Sequence, residues 1–420
     1  MNKKIVLAAL TFATMAISCS QNELVEVNIP TSDAIALNPS TAVTRATVLT
    51  LDSLKRPGGF VVYAESGTSP SAWYNNGTQA IDGTNNHVWD APASKWGFQT
   101  AVPWPISNPS AYPMTFYAFY PALPNAAGSL KDAFPTLTID VTIPKDVKKQ
   151  VDLLAGKSST SSKPTSGSLV MSFRHILSKV NFAVANIDTN GVATSSQNAH
   201  VLALGFVNLY KDNVYDYKTA TWNTLSPLQM REAFNYYNAF VSSYPVPYVP
   251  RVFNNAQDPE KFFIGADSNL MLLPQNPTVW NTTANPVLAP AANEAYVALI
   301  YRIEEFDNDD YIGFKHASSH SGYATSFLQT EGYDGPLFVK VGYAYNSNWS
   351  MGKSYLYNIP LPGETGGRLL SGYLYDEYGR ETDLKAPGEV GEVVISKEAN
   401  IILQPVVSDW VSDNADIFDI

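Results

Sequence analysis

The chain has 420 residues and a formal net charge of −11 at pH 7. This acidic balance argues against a nucleic-acid partner, because phosphate binding depends on clustered Lys and Arg. The single cysteine excludes an internal disulfide and a cage of cysteines around a metal. Charged residues make up only 15% of the chain and aromatic residues 12%, a balance that favours half-buried strands over helices.

Residues 1–18 have the pattern of a signal peptide. A basic start, MNKK, precedes an apolar segment, IVLAALTFATMAI, which is too short to span a bilayer. The small residues Ala16 and Ser18 then precede Cys19, as in lipoprotein signals that are cleaved just before an acylated cysteine. We interpret Cys19 as a lipid anchor, since several acyl chains hold a protein stably at a membrane. The alternative is an ordinary secretory signal with a chance cysteine.

Residues 19–45 are predicted to form a small, polar leader. Its strand signal is a short alternation of apolar residues at Val25, Val27 and Ile29. Arg45 is the only basic residue between Lys4 and Lys55, and its small neighbours would fit an extended protease cleft. Two interpretations stay open: a processing site before Ala46, or a solvated arginine on a loop.

The chain after the leader predicts many short strands separated by turn-rich segments. In chain order these strands are GGFVVYAE (58–65), TFYAFYP (115–121), LTIDVTIP (137–144), SLVMSFRH (168–175), KVNFAVANI (179–187), HVLALGFVNLY (200–210), AYVALIYRI (295–303), GPLFVKVGYAYN (335–346), KSYLYNIPL (353–361) and GEVVISKEANIILQPVV (391–407). Alternation within 335–346 predicts a half-buried antiparallel strand.

One helix is predicted, over residues 226–243, because a Ser-Pro start precedes apolar residues at near-helical spacing. Those residues are Leu228, Phe234, Tyr237 and Phe240. The helix lies in a long segment, 211–290, that we interpret as an insert.

The length of the chain predicts two domains, because single cores stop growing at roughly 250 to 300 residues. A loop at 187–199 separates an N-terminal domain, 46–190, from a C-terminal domain, 191–420. Many short strands and few helices predict an all-β protein built of two β-sandwiches.

No motif of a catalytic centre occurs in the sequence: it lacks a GxSxG elbow, an HExxH helix and a phosphate-binding glycine loop. His175 follows a predicted strand and could serve a catalyst, but packing is the commoner role of such a histidine. We therefore predict that the protein is not an enzyme.

Two clusters contain residue types that can bind metal ions. His316 and His320 are four residues apart in HASSHSG, which reads as a loop without a third ligand. The acidic residues from Glu304 to Asp310 could attract Ca²⁺ but lack the spacing of a known calcium loop. A surface loop and a solvated turn are the favoured interpretations, and we predict no metal.

Four tryptophans fall close together in the first half of the chain, at Trp73, Trp89, Trp96 and Trp104. Such side chains stack on sugar rings when they share an exposed surface, and fill cores when they do not. In an aromatic-rich sandwich the core role is favoured.

Several segments, taken together and in order, resemble the fimbrillins, the lipoprotein pilins of type V pili. These are Cys19 with its polar leader, Arg45 in TRA, TFYAFYP, VDLLAG (151–156), MSFRHILSKVNF (171–182), NWSMGKSYLYNIPL (348–361) and IILQPVVSDW (401–410). The resemblance extends over nearly the whole chain. It departs from the family at Ala16, where leucine is usual, and in the 211–290 segment.

The resemblance implies two transthyretin-like antiparallel β-sandwich domains of Greek-key type in tandem, with a helical insert in the second. It implies cleavage after Arg45 by an arginine-specific protease, with Ala46 as the new N-terminus. Loss of a leader strand would open a groove for a strand from a partner subunit. By position, the leader strand comprises Leu24, Val25, Val27 and Ile29, with Ala34 to Leu37 as the alternative.

The donor strand is expected in the C-terminal segment. Its groove-filling residues would be Ile401, Leu403 and Val407, with Ile417, Phe418 and Ile420 as a further apolar hook. In strand addition, backbone hydrogen bonds give affinity and alternate side chains give register. The implied partners are other pilin subunits and the processing protease.

The resemblance places the precursor at the outer membrane, through acyl chains such as palmitate on Cys19, and the mature protein in a fimbrium on the cell surface. It implies a role in adhesion and no cofactor. Stalk, tip and anchor roles all stay open. A different class of function, a lipoprotein that binds glycans and never polymerises, would place the four tryptophans on one exposed platform.

Overall fold

Strands account for nearly all regular structure in the protein, for which we have a computed structural model. It describes residues 34–41, 55, 59–68, 71–72, 74–75, 79–81, 86–106, 108–121, 137–166, 168–186, 197–225, 231–238, 251–253, 269–281, 290–307, 310–314, 337–361, 367–386, 389–391, 393–394 and 402–409. These residues form 28 strands and two single-turn 3-10 helices, Pro109–Ala111 and Val147–Lys149. The all-β prediction is confirmed.

The first sheet has six strands. They are β1 Ala36–Thr41, β2 Val61–Ser66, β3 Ser71–Ala72, β8 Met114–Tyr120, β10 Leu154–Thr160 and β11 Ser168–His175. Their order is β1-β11-β10-β8-β2-β3, and every neighbouring pair is antiparallel except β1 with β11. β1, the first strand of the described residues, therefore lies at one edge of the sheet.

Both faces of this sheet are buried, because side chains along β2 and β8 alternate between two apolar clusters. One cluster, called here the groove core, contains Leu37, Phe60, Val62, Phe116 and Phe173. It is closed by the hairpin of β6 His87–Asp90 and β7 Lys95–Phe98, whose Trp96 and Phe98 are buried.

The opposite face of the first sheet packs on a three-stranded sheet, which completes the first sandwich. Its strands are β9 Thr138–Thr142, β14 Asp212–Asp216 and β15 Thr221–Trp222, in the order β15-β14-β9. Tyr63 and Phe119 of the first sheet both contact the ring of Tyr217, which follows β14. A two-stranded hairpin, β4 Tyr74–Asn75 with β5 Gln79–Ala80, accompanies this half of the chain.

The second half of the chain contributes two further sheets. The four-stranded sheet has the order β18-β12-β22-β28, with β12 Ser178–Asn186, β18 Leu270–Leu272, β22 Lys353–Leu361 and β28 Pro405–Asp409. The nine-stranded sheet contains β13 Gln197–Tyr210, β16 Arg231–Asn238, β17 Arg251–Phe253, β19 Tyr296–Asp307, β20 Asp310–Phe314, β21 Val339–Tyr345, β23 Gly367–Leu369, β26 Val393–Val394 and β27 Ile402–Leu403.

Aromatic rings join these two sheets into a second sandwich. Phe182 and Tyr357 of the four-stranded sheet contact Phe206 of the larger sheet at ring-centroid distances of 4.8 and 5.7 Å. All three side chains are buried. A hairpin of β24 Tyr373–Tyr375 and β25 Glu381–Lys385 lies beside this sandwich.

The predicted helix at 226–243 is wrong, because its described part forms β16, which pairs with β13. The pairing skips one residue, so that Phe234 and Tyr237, three apart, lie opposite Phe206 and Leu204, two apart. A β-bulge of this kind gives a strand the residue spacing of a helix. The described residues of 211–290 contain strands that pair with neighbours outside that segment, and they contain no α-helix.

Candidate strand-acceptor groove

Strand β1 lies along the edge of β11 in parallel register, from Ala36 opposite Ser168 to Thr41 opposite Phe173. A tight hairpin can join only antiparallel strands, so a parallel neighbour reaches its place through a long connection. Here Ser40 and Ser172, which face each other, are 132 residues apart in the chain. β1 thus pairs with a strand that lies far away from it in the sequence.

The inner face of β1 fills the groove core. Ile35, Leu37 and Pro39 are buried, and Asn38 between them is exposed. Ile35 and Leu37 are 1% and 0% exposed. Full burial of one such aliphatic side chain contributes roughly 1.5 to 3 kcal/mol, so these two side chains supply much of the docking energy of the strand.

The outer face of β1 adds side-chain hydrogen bonds to β11. Asn38 donates from Nδ2 to Ser168 Oγ at 3.0 Å, and the hydroxyls of Ser40 and Ser172 are 3.3 Å apart. These bonds are exposed to solvent, where each contributes little, but they fix the register that the inner side chains require.

The side of β1 away from β11 is also paired. Ile35 N–H donates to Val102 O at 2.7 Å, and His87 Nε2 lies 3.1 Å from the backbone nitrogen of Leu37 and 2.8 Å from its carbonyl oxygen. β1 therefore occupies a slot between β11 on one side and Val102 with His87 on the other. We call this slot, with the groove core as its floor, the strand groove.

His87, on the side of the slot opposite β11, packs among aromatic rings. Its ring is stacked on Trp96 at 6.0 Å and meets the ring of Phe98 edge-on at 4.7 Å. The side chain is fully buried, and this burial lowers the pKa of His87 from 6.5 to about 3. The neutral imidazole offers one hydrogen bond to the peptide group of Leu37, whichever nitrogen carries the proton. Because the contact is with backbone, it suits any side chain at that position.

Stability of the uncleaved protein is expected to fall between pH 6.5 and pH 5. The unfolded chain binds a proton at His87 below pH 6.5, whereas the folded chain does not until about pH 3, so the free energy of unfolding decreases as pH falls. The loss from this one residue is about 2 kcal/mol at pH 5. Urea unfolding at pH 7, 6 and 5 measures it, with His87→Phe as the variant that cannot titrate. An identical pH dependence in both proteins would contradict the assignment.

Gly59 allows the backbone of His87 to approach this closely. Phe60 N–H donates to His87 O at 3.0 Å, and His87 N–H donates to Phe60 O at 2.9 Å. Gly59 has a φ of +57°, and a Cβ there would lie 1.9 Å from His87 O. Sequence reasoning missed both residues, since a lone histidine carries no motif and the Gly58–Gly59 pair indicates only a turn.

The C-terminal segment lies on the second sandwich. β27 pairs in parallel with β21, and Leu403 is only 2% exposed. β28 then forms the outer edge of the four-stranded sheet, where Val406 and Val407 are 44% and 52% exposed. Among the described residues, β28 is thus an edge strand with apolar side chains open to solvent.

The sequence-predicted site residues divide into two groups. Those outside the described residues are Cys19, Leu24, Val25, Val27, Ile29, Arg45, Ala46, Ile401, Ile417, Phe418 and Ile420. Of the two predicted leader strands, the alternative at Ala34 to Leu37 falls on the start of β1, which continues to Thr41. Leu403 is buried and Val407 is exposed, as described above.

The tryptophans described by the structure do not share an exposed surface. Trp96 and Trp104 are buried in the groove core, and Trp89 packs edge-on against Trp96 at 5.5 Å. Trp73 lies outside the described residues. A glycan platform built from these four side chains therefore has no support in the described part of the chain.

The remaining candidates from the sequence are His175, the acidic run from Glu304 to Asp310, and the pair His316 and His320. His175 Nδ1 is 2.8 Å from Asp152 Oδ2, and burial raises the pKa of that aspartate. Described residues of the acidic run lie on the paired strands β19 and β20, with Asp307 opposite Asp310. His316 and His320 lie outside the described residues. Within the described ranges, no three His, Cys, Asp or Glu side chains are grouped so as to hold a metal ion.

The described sheets form two β-sandwiches in tandem, with β1 at the edge of the first, which defines an all-β class of protein. The fimbrillin-like family model matches residues 44–371, and the chain belongs to that family. It is 27% identical over 246 residues to fimbrium subunit Fim1C of Phocaeicola vulgatus, a match that covers 53% of this chain and 61% of that protein.

Solved structures of fimbrial proteins also align with the chain. A fimbrial protein from Bacteroides vulgatus has a TM-score of 0.49 at 17% identity, covering 78% of this chain and 95% of that one. A fimbrilin from Porphyromonas gingivalis has a TM-score of 0.37 at 9% identity, covering 90% and 98%.

The fimbrillin-like family is a family of fimbrial structural subunits and not of enzymes. The described part of the chain contains no helix with the length and apolar character needed to span a bilayer. The family match begins at residue 44, so β1 lies before the matched range.

Proposed function

We propose that the protein is a pilin assembled by strand exchange. It is exported as a lipoprotein on Cys19, cleaved after Arg45 by an arginine-specific protease, and joined to its neighbour when the neighbour's C-terminal strand replaces β1. Its role is to build a fimbrium that supports adhesion. The mature chain would begin at Ala46 and carry no lipid.

The position of β1 relative to Arg45 is the observation that carries this proposal. β1 ends at Thr41, four residues before Arg45, so a cut there would leave the strand held only by non-covalent contacts. Its departure would uncover the edge of β11 and the groove core, where Leu37 and Ile35 are now buried. An uncovered edge of this kind recruits another strand.

The C-terminal strand supports the proposal from the donor side. Among the described strands, β28 has a neighbour on one side only, and it exposes Val406 and Val407. Its ion pair between Lys353 and Asp409 is solvent-exposed, and such pairs contribute little to stability. This ion pair therefore adds little to the cost of moving the strand.

Replacement of Arg45 by alanine is expected to abolish polymerisation. Without the arginine the leader stays attached and β1 continues to fill the groove. The test is mild treatment of the precursor with an arginine-specific protease, followed by mass spectrometry and a native gel. The unaltered protein should give a product beginning at Ala46 and a ladder of oligomers, both absent for Arg45→Ala.

Arg56→Ala is the matched control, because it removes the next arginine along the chain and leaves Arg45 intact. It should be cleaved and form ladders like the unaltered protein. A product beginning at Ala46 that remains monomeric would refute strand exchange, and an intact leader after protease treatment would refute processing at Arg45.

A further inference from the structure

The C-terminal segment repeats the sequence of the strand that fills the groove. Residues 35–41 read IALNPST and residues 401–407 read IILQPVV. The apolar residues at alternate positions coincide: Ile35 with Ile401, Leu37 with Leu403 and Pro39 with Pro405. Asn38 coincides with the chemically similar Gln404. The matched positions include the three side chains that face the groove core. They also include the outward amide, which is Asn38 in one segment and Gln404 in the other.

The described parts of the two segments also lie in similar settings. Each runs parallel to the strand beside it, β1 to β11 and β27 to β21. The leucine at the centre is buried in both, 0% exposed at Leu37 and 2% at Leu403. The amide that follows is exposed in both and bonds to the neighbouring strand end, Asn38 to Ser168 and Gln404 to Asn346.

The shared proline fits this position because its backbone nitrogen points away from β11. Ile35 N–H points away from β11, towards Val102, and Leu37 presents its backbone to His87 on the same side. Alternate residues of a strand point their N–H groups to the same side, so Pro39 lacks a donor only where β11 is not bonded. Pro405, with the same parity, would leave the ladder to β11 equally intact.

The outward positions of the C-terminal segment are better suited to a strand than those of the leader. Ala36 and Ser40 correspond to Ile402 and Val406. β-branched and larger apolar residues are favoured in strands. Within the groove, these residues are therefore expected to hold a strand at least as well as those of the leader.

We propose that residues 401–407 of a second copy of this chain enter the strand groove in the register of residues 35–41. Leu403 takes the place of Leu37, with its peptide group bonded to His87, and Gln404 takes the place of Asn38 beside Ser168. This inference rests on the proposed strand exchange and adds its partner and its register. A chain with a groove and the matching strand extends itself, as a stalk subunit does.

Disulfide crosslinking tests the register directly. In the proposed arrangement Val406 takes the place of Ser40, whose hydroxyl is 3.3 Å from that of Ser172. The mature chain has no cysteine, because Cys19 is removed with the leader. The variant Ser172→Cys with Val406→Cys, cleaved after Arg45 and oxidised, should give a ladder on a denaturing gel without reductant.

Val407→Cys with Ser172→Cys is the matched control. Val407 is also an exposed valine of the same strand, but neighbouring residues of a strand point to opposite faces. Its crosslinked ladder should be weaker by about tenfold, because the two sulfurs cannot reach bonding distance. The uncleaved variant Ser40→Cys with Ser172→Cys, in a Cys19→Ser background, should form an internal disulfide and calibrates the reaction.

The possible outcomes separate register from function. Native ladders with crosslinking through residue 406 and not 407 support the proposal. Native ladders with crosslinking through residue 407, or through neither, overturn the register and leave strand exchange standing. Absence of native ladders after complete cleavage overturns the proposal together with strand exchange.

A peptide supplies a second measurement that does not depend on the folding of variants. A synthetic peptide of residues 400–409, added in excess during cleavage, should occupy the groove and suppress ladders. The same peptide with Leu403→Asp should lose this effect, because a carboxylate would enter the groove core. Equal suppression by both peptides would contradict the assigned register.

Discussion

Replacement of Gly59 by alanine should destabilise the first sandwich by at least about 3 kcal/mol. Two effects add. The backbone of Gly59 has a φ of +57°, which residues with a Cβ adopt only under strain, and the new Cβ would lie 1.9 Å from His87 O and 2.8 Å from His87 C. Both clashing atoms are backbone, so no rotamer change relieves them. The hydrogen bonds that join Phe60 to His87 would break.

Thermal unfolding measures this effect, and a fall in Tm of about 10 °C is expected. Gly67→Ala is the matched control, because Gly67 also has a positive φ, +82°, but its nearest neighbour, Ser110 O, is 3.4 Å from the added Cβ. That variant should lose only the cost of backbone strain, about 1 to 2 kcal/mol. Equal losses in the two variants would show that contact with His87 is unimportant.

Leu37→Ala should release β1 from the strand groove. Leu37 is 0% exposed within the groove core, and truncation of such a residue costs about 3 kcal/mol, or about a hundredfold in the docking equilibrium of β1. Amide hydrogen exchange along β1 and β11 should accelerate by that factor, while exchange in the second sandwich is unchanged.

Asn38→Ala, one position along the same strand, is the control for Leu37→Ala. Its side chain is exposed and makes one hydrogen bond to Ser168, so exchange should rise only a few-fold. If both variants released the strand to the same extent, side-chain burial would not be what holds β1 in the groove.

The strands could be predicted from the sequence where local alternation was strong. TFYAFYP and LTIDVTIP correspond to β8 and β9 because every residue of the pattern serves one strand. The alternation in 335–346 predicted β21 but not its burial on both faces. The second face is covered by residues from other parts of the chain, which a local pattern does not reveal. A Cβ on Gly342 would lie within 3 Å of side chains of Trp280 and Leu370.

The strand groove was harder to predict because its parts are distant in the chain. Ser40 meets Ser172 across 132 residues, and Leu37 meets His87 across 50. The leader strand also contains Asn38 and Pro39, which have low strand propensity, so Val25 to Ile29 gave the stronger local signal. No local pattern encodes a pairing that exists only when the whole sandwich has formed.

In the proposed assembly, the attachment of β1 to its own chain sets the time at which polymerisation can begin. A strand tethered beside its groove competes at an effective concentration in the millimolar range, whereas a donor from another subunit competes only at its bulk concentration. In the proposed assembly a cut after Arg45 removes this advantage without altering a single contact in the groove. The precursor would therefore carry its own competitive inhibitor. Proteolysis would turn that inhibitor into a separate peptide that can dissociate from the groove.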